Sequence, residues 1–149
     1  DPLGYLGDGV FGSDALTVNP YLGRDSLEPF VDQAAANGRG LFVLVKTSNP
    51  GSRDLQDLTT TDDRPVYLHT AALVGELGRP YRDEDGYSPV GAVVGATHPQ
   101  VLREVRRALP YSVLLVPGYG AQGARAEDVA GAFDADGAGG RQSSLGEAT

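Results

Sequence analysis

Three runs in the 149-residue chain are apolar without a break: residues 41–45 (Leu-Phe-Val-Leu-Val), 90–94 (Val-Gly-Ala-Val-Val) and 113–116 (Val-Leu-Leu-Val). Runs of four or five such residues, bounded by Gly, Pro and polar turns, leave no position facing solvent. Each therefore reads as a strand covered on both faces. A fourth strand is expected at residues 14–19, ending at Pro20. Helical patterns fill the intervals. Asp25 as N-cap, with Glu28 three residues on, opens a helix that stops at Asn37-Gly38. Pro65 at a first helical position leads residues 66–77, ended by Gly78. Residues 99–109 follow Thr97 as cap, with Gln100 three residues on, and halt at Pro110. A last helix is expected over residues 124–133. Residues 1–13 are Gly-rich with no clear period and read as the tail of something that began earlier.

Strand, polar loop and helix thus recur four times, with a possible fifth strand at residues 142–145. Such alternation implies parallel strands joined by right-handed crossovers. The strands end in polar or Gly/Pro-rich loops at Asn19-Pro20, residues 47–52, Thr97-His98 and residues 117–123. A (β/α)8 barrel gathers its site on the C-terminal face in this way. A complete barrel takes about 200–250 residues, so the expectation is one domain, residues 1–149, forming part of a barrel.

The loop after the last apolar run, Pro-Gly-Tyr-Gly-Ala-Gln-Gly at 117–123, has the layout of an anion site. Gly118, Gly120 and Gly123 remove side chains that would hold a ligand off the backbone, and the loop empties into a helix N-terminus, where the dipole favours a phosphate. Gln122 adds a side-chain amide. Three readings stay open here. The Gly118-x-Gly120-x-x-Gly123 spacing matches the dinucleotide fingerprint, although that motif belongs in a first βαβ unit with an acidic residue ending the next strand. The others are a plain Gly-rich βα loop and a barrel-type phosphate grip, the last being expected. No Gly-Lys-Ser/Thr follows, which excludes a P-loop.

Composition narrows the partners. The formal charge of −8 disfavours a nucleic-acid backbone or an anionic membrane, both of which need clustered Lys and Arg. No apolar run approaches the roughly 20 residues that span a bilayer. The absence of cysteine removes disulfides and thiolate metal sites. A cytoplasmic location is the expectation. Lys46 is the only lysine. Strand alternation would place it on one face with Ser48, among inward side chains such as Thr17 and Leu44. A Schiff-base nucleophile and a buried cation paired with a carboxylate on another strand are its two readings, the second expected. His69 falls in a helix without a metal partner at i+4 and is expected to be partly exposed.

Residues 14–23, 41–52, 87–97 and 116–123 resemble, in order, consecutive strand motifs of orotidine 5'-phosphate decarboxylase of the longer bacterial type 2 class, and the resemblance covers most of residues 14–136. It implies a TIM-type barrel, here roughly strands 4 to 8, of an enzyme that decarboxylates orotidine 5'-monophosphate to UMP without metal or organic cofactor, commonly as a homodimer. Ser48 would then touch the pyrimidine and Pro117 would line its pocket. Asn19, Asn49, Pro50, Gly51 and Thr97 would complete the substrate side. Gln122 would bind the phosphate with Gly118, Gly120 and Gly123. The family's chemistry resides in an Asp-x-Lys-x-x-Asp motif on the strand before Asp14, and nothing in this chain fits it. No catalytic residue is therefore assigned, and the reading is of a later portion of the enzyme, inactive alone. The family's last strand resembles Asn-Ser-Ser-Arg, where this chain has Gln-Ser-Ser-Leu at 142–145, with Arg141 four residues too early for the phosphate arginine. The alternatives are a non-catalytic phosphate- or nucleotide-binding half-barrel and a Rossmann-like dinucleotide-binding domain.

Overall fold

The computed structural model describes residues 2–7, 9, 11–118, 129 and 133. Four strands, β1 (Ala15–Val18), β2 (Gly40–Lys46), β3 (Ser88–Val94) and β4 (Ser112–Leu115), form one parallel sheet in the order β1-β2-β3-β4. Helices α2 (Arg24–Ala36), α3 (Val66–Gly78) and α4 (Pro99–Ala108) connect them, and a short α1 (Pro2–Leu6) precedes β1. Among the described strands, order follows chain order with no reversal. A doubly wound dinucleotide fold needs a switch point where the order turns back, so the Rossmann-like alternative is set aside.

The core lies on one side of the sheet. Leu41, Val43 and Val45 of β2 and Val90, Ala92 and Val94 of β3 pack with Leu27, Val31 and Ala34 of α2, Ala71, Val74 and Leu77 of α3, and Leu102 and Val105 of α4. The register Val18↔Val43↔Ala92↔Leu114 carries this face across the four strands. The intervening row, Thr17↔Phe42↔Gly91, belongs to the opposite face. There β4 leaves Val113 and Leu115 nearly half exposed. The open, partial sheet with helices on one face is the expected one, although β3 starts earlier, at Ser88, and takes in Pro89.

Helix boundaries differ in instructive ways. Gly23, at φ 91°, is the N-cap of α2, and Asp25 lies in its first turn. No side chain caps this end, and the Ser26 hydroxyl donates instead to the Gly23 carbonyl at 2.7 Å. At the other end Gly38, at φ 62°, lets Arg39 N–H reach the Ala34 carbonyl at 2.8 Å, the left-handed stop that the sequence implied. Pro65 is the extended N-cap of α3, one residue outside it, and His98, not Thr97, precedes α4. The Gly-rich start also folds: Leu6 of α1 is fully buried, and α1 packs on α2. Among residues 124–133, Val129 is helical and packs against the core, while the strand expected at 142–145 lies outside the described residues.

Candidate functional site

Parallel pairing brings the C-terminal ends of the strands to one edge. Gly95 N–H donates to the Lys46 carbonyl at 2.8 Å, and Ala96 N–H donates to the Pro117 carbonyl at 2.9 Å. The tails of β2, β3 and β4 are thereby tied side by side beyond the formal ends of the strands. Ser48, Thr97 and Pro117 gather there. Gly95 makes the approach possible, since a Cβ at that position would lie 2.9 Å from both Cβ and N of Ser48. Only a residue without a side chain lets the two tails touch.

Each expected binding residue among those described has a defined local setting. Asn19 follows β1, and its Oδ1 accepts the Tyr21 N–H at 3.0 Å. Asn49 accepts a hydrogen bond from the Thr47 hydroxyl at 2.6 Å, while Pro50 and Gly51 begin a 3-10 turn, Pro50–Asp54. Thr97 and Pro117 are exposed, and Gly118 has φ 94°, the left-handed region that glycine tolerates. Gly120, Gln122 and Gly123 lie outside the described residues, as does Arg141.

Lys46 departs from its expected row. A register shift between Leu44 and Lys46 pairs the lysine with Val94, a member of the helix-side core. This bulge takes Lys46 out of the alternation that would align it with Phe42 and Leu44. Its side chain is 1% exposed, with Nζ 2.6 Å from Asp57 Oδ1 and 3.0 Å from Ser52 Oγ. The paired-cation reading is thus the observed one, but the carboxylate comes from the segment after β2 instead of another strand. A Schiff-base nucleophile needs an amine free to attack, and this ammonium is engaged.

Sequence reasoning missed three further residues. Gln56 grips Thr47 twice: its Oε1 accepts the Thr47 N–H at 2.9 Å, and its Nε2 donates to Thr47 Oγ1 at 3.0 Å. His98 keeps its Nε2 buried with no hydrogen-bond partner among the described residues. Burial, and then the positive charge of Lys46, hold its pKa below the ordinary imidazole value. Tyr67 of α3 donates to Glu104 of α4 at 2.6 Å, and burial raises its phenol pKa. Gln56 and Asp57 lie in a polar stretch with no periodic signal, while Gly95 within an apolar run was the available clue to a close approach.

His69 lies partly exposed on α3, its Nε2 2.8 Å from Thr60 Oγ1 and 3.1 Å from Asp62 Oδ1. The Thr60 hydroxyl bond does most to hold the Asp62 carboxyl below its ordinary range. Among the described residues no group of three His, Cys, Asp or Glu is placed to hold a metal ion, and no helix is long and apolar enough to cross a membrane.

The family model described as Orotidine 5'-phosphate decarboxylase / HUMPS family matches residues 7–143. The chain is 61% identical over 129 residues to orotidine 5'-phosphate decarboxylase of Rhodopirellula baltica, covering 87% of this chain and 42% of that protein. Its fold is similar to a solved orotidine-monophosphate-decarboxylase from Toxoplasma gondii, with TM-score 0.72 and 39% identity over 80% of this chain and 45% of that one. A second solved structure, orotidine 5'-phosphate decarboxylase from Streptomyces avermitilis, gives TM-score 0.70 and 40% identity over 86% of this chain and 43% of that one. The chain spans less than half the length of these relatives. With strand order, strand-end motifs and family model in agreement, the chain belongs to the orotidine 5'-phosphate decarboxylase / HUMPS family.

Proposed function

We propose that this chain supplies the ligand-gripping part of an orotidine 5'-monophosphate decarboxylase, the lyase that releases CO2 from its substrate to leave UMP. The observation that supports it most is the convergence of Ser48, Thr97 and Pro117 on one sheet edge, in a chain 61% identical to a decarboxylase of that name. In this reading Ser48 and Pro117 meet the pyrimidine. Asn19, Asn49, Pro50, Gly51 and Thr97 line the approach, and Gly118, Gly120, Gln122 and Gly123 receive the phosphate. The partner is a small nucleotide, and the assembled enzyme is a cytoplasmic homodimer.

The division of labour follows from the residues. Backbone N–H groups and an amide at the phosphate anchor the non-reacting end of the substrate, and such remote binding energy holds the base in a reactive position. Proton delivery to the carbon that loses CO2 needs a free cationic acid, and Lys46 is engaged by Asp57 and Ser52. The chain's own residues thus bind and orient, and no Asp-x-Lys-x-x-Asp lies among them. That same engagement favours a second reading of the isolated chain as a non-catalytic nucleotide-binding half-barrel.

Calorimetry with UMP tests the binding claim. A hydrogen bond to a charged oxygen contributes about 1.5–3 kcal/mol, so Gln122→Ala should weaken binding about tenfold or more. Equal affinities would remove Gln122 from the site. Ultraviolet assay of orotidylate loss should show no turnover by this chain alone. Turnover abolished by Lys46→Ala would make that lysine catalytic and overturn the assignment.

A further inference from the structure

The bulge in β2 turns the chain's one lysine toward the segment that follows the strand, where two short links fold that segment back onto the strand end. Lys46 Nζ holds Ser52 Oγ at 3.0 Å and Asp57 Oδ1 at 2.6 Å. Gln56, next to Asp57, holds both the amide and the hydroxyl of Thr47. Within the segment, Gln56 N–H donates to the Ser52 carbonyl at 2.9 Å and Ser52 N–H to the Asn49 carbonyl at 3.0 Å, so the two anchors belong to one hydrogen-bonded turn. Ser48 sits between Thr47, which Gln56 grips, and Asn49, which accepts the Thr47 hydroxyl at 2.6 Å. On its other side it rests on Gly95.

We propose that Lys46 and Gln56, with Asp57 and Ser52, act as positioning residues: they clamp residues 50–57 against the end of β2 and so fix Ser48 on the ligand edge. This rests on the proposed function for the role of Ser48. The clamp itself rests on the contacts alone. A buried ammonium without its carboxylate is costly, so Lys46 obliges Asp57 to stay in place. Replacing the cation by an apolar side chain of similar length removes the link and the ammonium's desolvation cost, and the carboxylate left behind, on a side chain 40% exposed, can turn to water. Lys46→Met therefore separates positioning from folding, whereas Asp57→Asn strands the charge.

Amide hydrogen exchange, followed residue by residue by NMR, tests the clamp without requiring turnover. Thr47 N–H should be protected in the parent chain. Lys46→Met and Gln56→Ala should each raise its exchange rate at least about tenfold, with the Val43 and Ala92 amides unchanged. Gln56→Glu keeps an acceptor for that N–H and should restore much of the protection. Thr47 exchanging freely in the parent chain, keeping its rate in both variants, or accelerating only in step with Val43 and Ala92, would overturn the clamp. In a parallel titration with UMP, the same two variants should lose affinity severalfold. A parent chain that ignores UMP while Thr47 behaves as stated would defeat the proposed function and leave the clamp standing. UMP affinity unchanged in both variants, with Thr47 released, would remove Ser48 from what the clamp controls.

Discussion

The two faces of the sheet are built from alternate residues of the same strands, yet they are covered to different degrees, with Val93 the buried exception on the second. On one, Leu41, Val43, Val90, Ala92 and Val94 are fully buried under α2, α3 and α4. On the other, Val113 is 48% and Leu115 44% exposed, with Thr17 exposed and Phe42 and Leu44 partly so. Hydrophobicity alone does not distinguish them, since both rows are largely apolar. The later three strands contain unbroken apolar runs because a barrel strand faces helices on one side and the barrel interior on the other. The helix side is a finished core within these residues. The other is the face that, in a closed barrel, packs in layers against further strands.

The largest expected difference tests that contrast. Leu41→Ala should cost about 2–5 kcal/mol of stability, as large-to-small core changes do, whereas Leu115→Ala should cost less than about 1 kcal/mol, because much of its surface already meets water. Denaturant melts of both variants measure it, and equal losses would abolish the distinction. Gly91→Ala comes next. A Cβ there would meet the Val113 carbonyl oxygen at 2.5 Å and the Phe42 ring at 2.8 Å, and the backbone oxygen cannot turn aside. A loss of about 1–3 kcal/mol in the same melts is expected from such overpacking, and a neutral result would mean the open face is loosely packed down to its backbone.

A smaller effect separates the ligand edge from both faces. Burial and the nearby Lys46 hold the folded pKa of His98 below the unfolded value of 6.5. Its contribution is complete above 6.5 and is lost as pH falls below that value toward the folded pKa, because the unfolded chain then takes up the proton first. Melting temperatures from pH 8 to pH 5 should fall more steeply for the parent chain than for His98→Asn, and parallel curves would contradict the assignment. The smallest effect is at the sheet edge. Arg39 pairs with Asp14 at 2.5 Å beside β1, with the carboxylate almost wholly exposed. Exposed pairs contribute about 0–1 kcal/mol, so Asp14→Asn should barely move the melt, and a loss as large as that of Leu41→Ala would make this edge part of the core.

What was legible in the sequence follows from where the signals are local. Buried strands announce themselves by unbroken apolar runs, and three of them, with a fourth strand at residues 14–19 and helices between, predicted the parallel, partial barrel. The stop at Gly38 was readable because its conformation excludes most other residues. The N-cap of α2 was not, because Asp25 and Glu28 make a good local motif that starts two residues inside the cap, while Gly23 begins the helix with no side-chain cap. Lys46 shows the limit most clearly. Alternation put it in the inward row, but a register shift between Leu44 and Lys46, which leaves no mark in the sequence, took it out of that alternation. Its partners Ser52 and Asp57 lie six and eleven residues on, in a stretch without periodicity. The proposed binding residues were named by resemblance, and the convergence of Ser48, Thr97 and Pro117 depends on β2, β3 and β4 being neighbours, which no single motif states.

The most direct test of this account is where a nucleotide touches the chain. Titration of the isotopically labelled chain with UMP, followed by amide shifts, should move Ser48, Thr97, Gly118 and their neighbours along the strand ends, and leave unchanged a separate groove that Arg24 of α2, Glu76 of α3 and Tyr81 line. Shifts confined to that groove, or none at saturating nucleotide, would contradict the claim that the carboxyl ends of the strands form a nucleotide-binding edge.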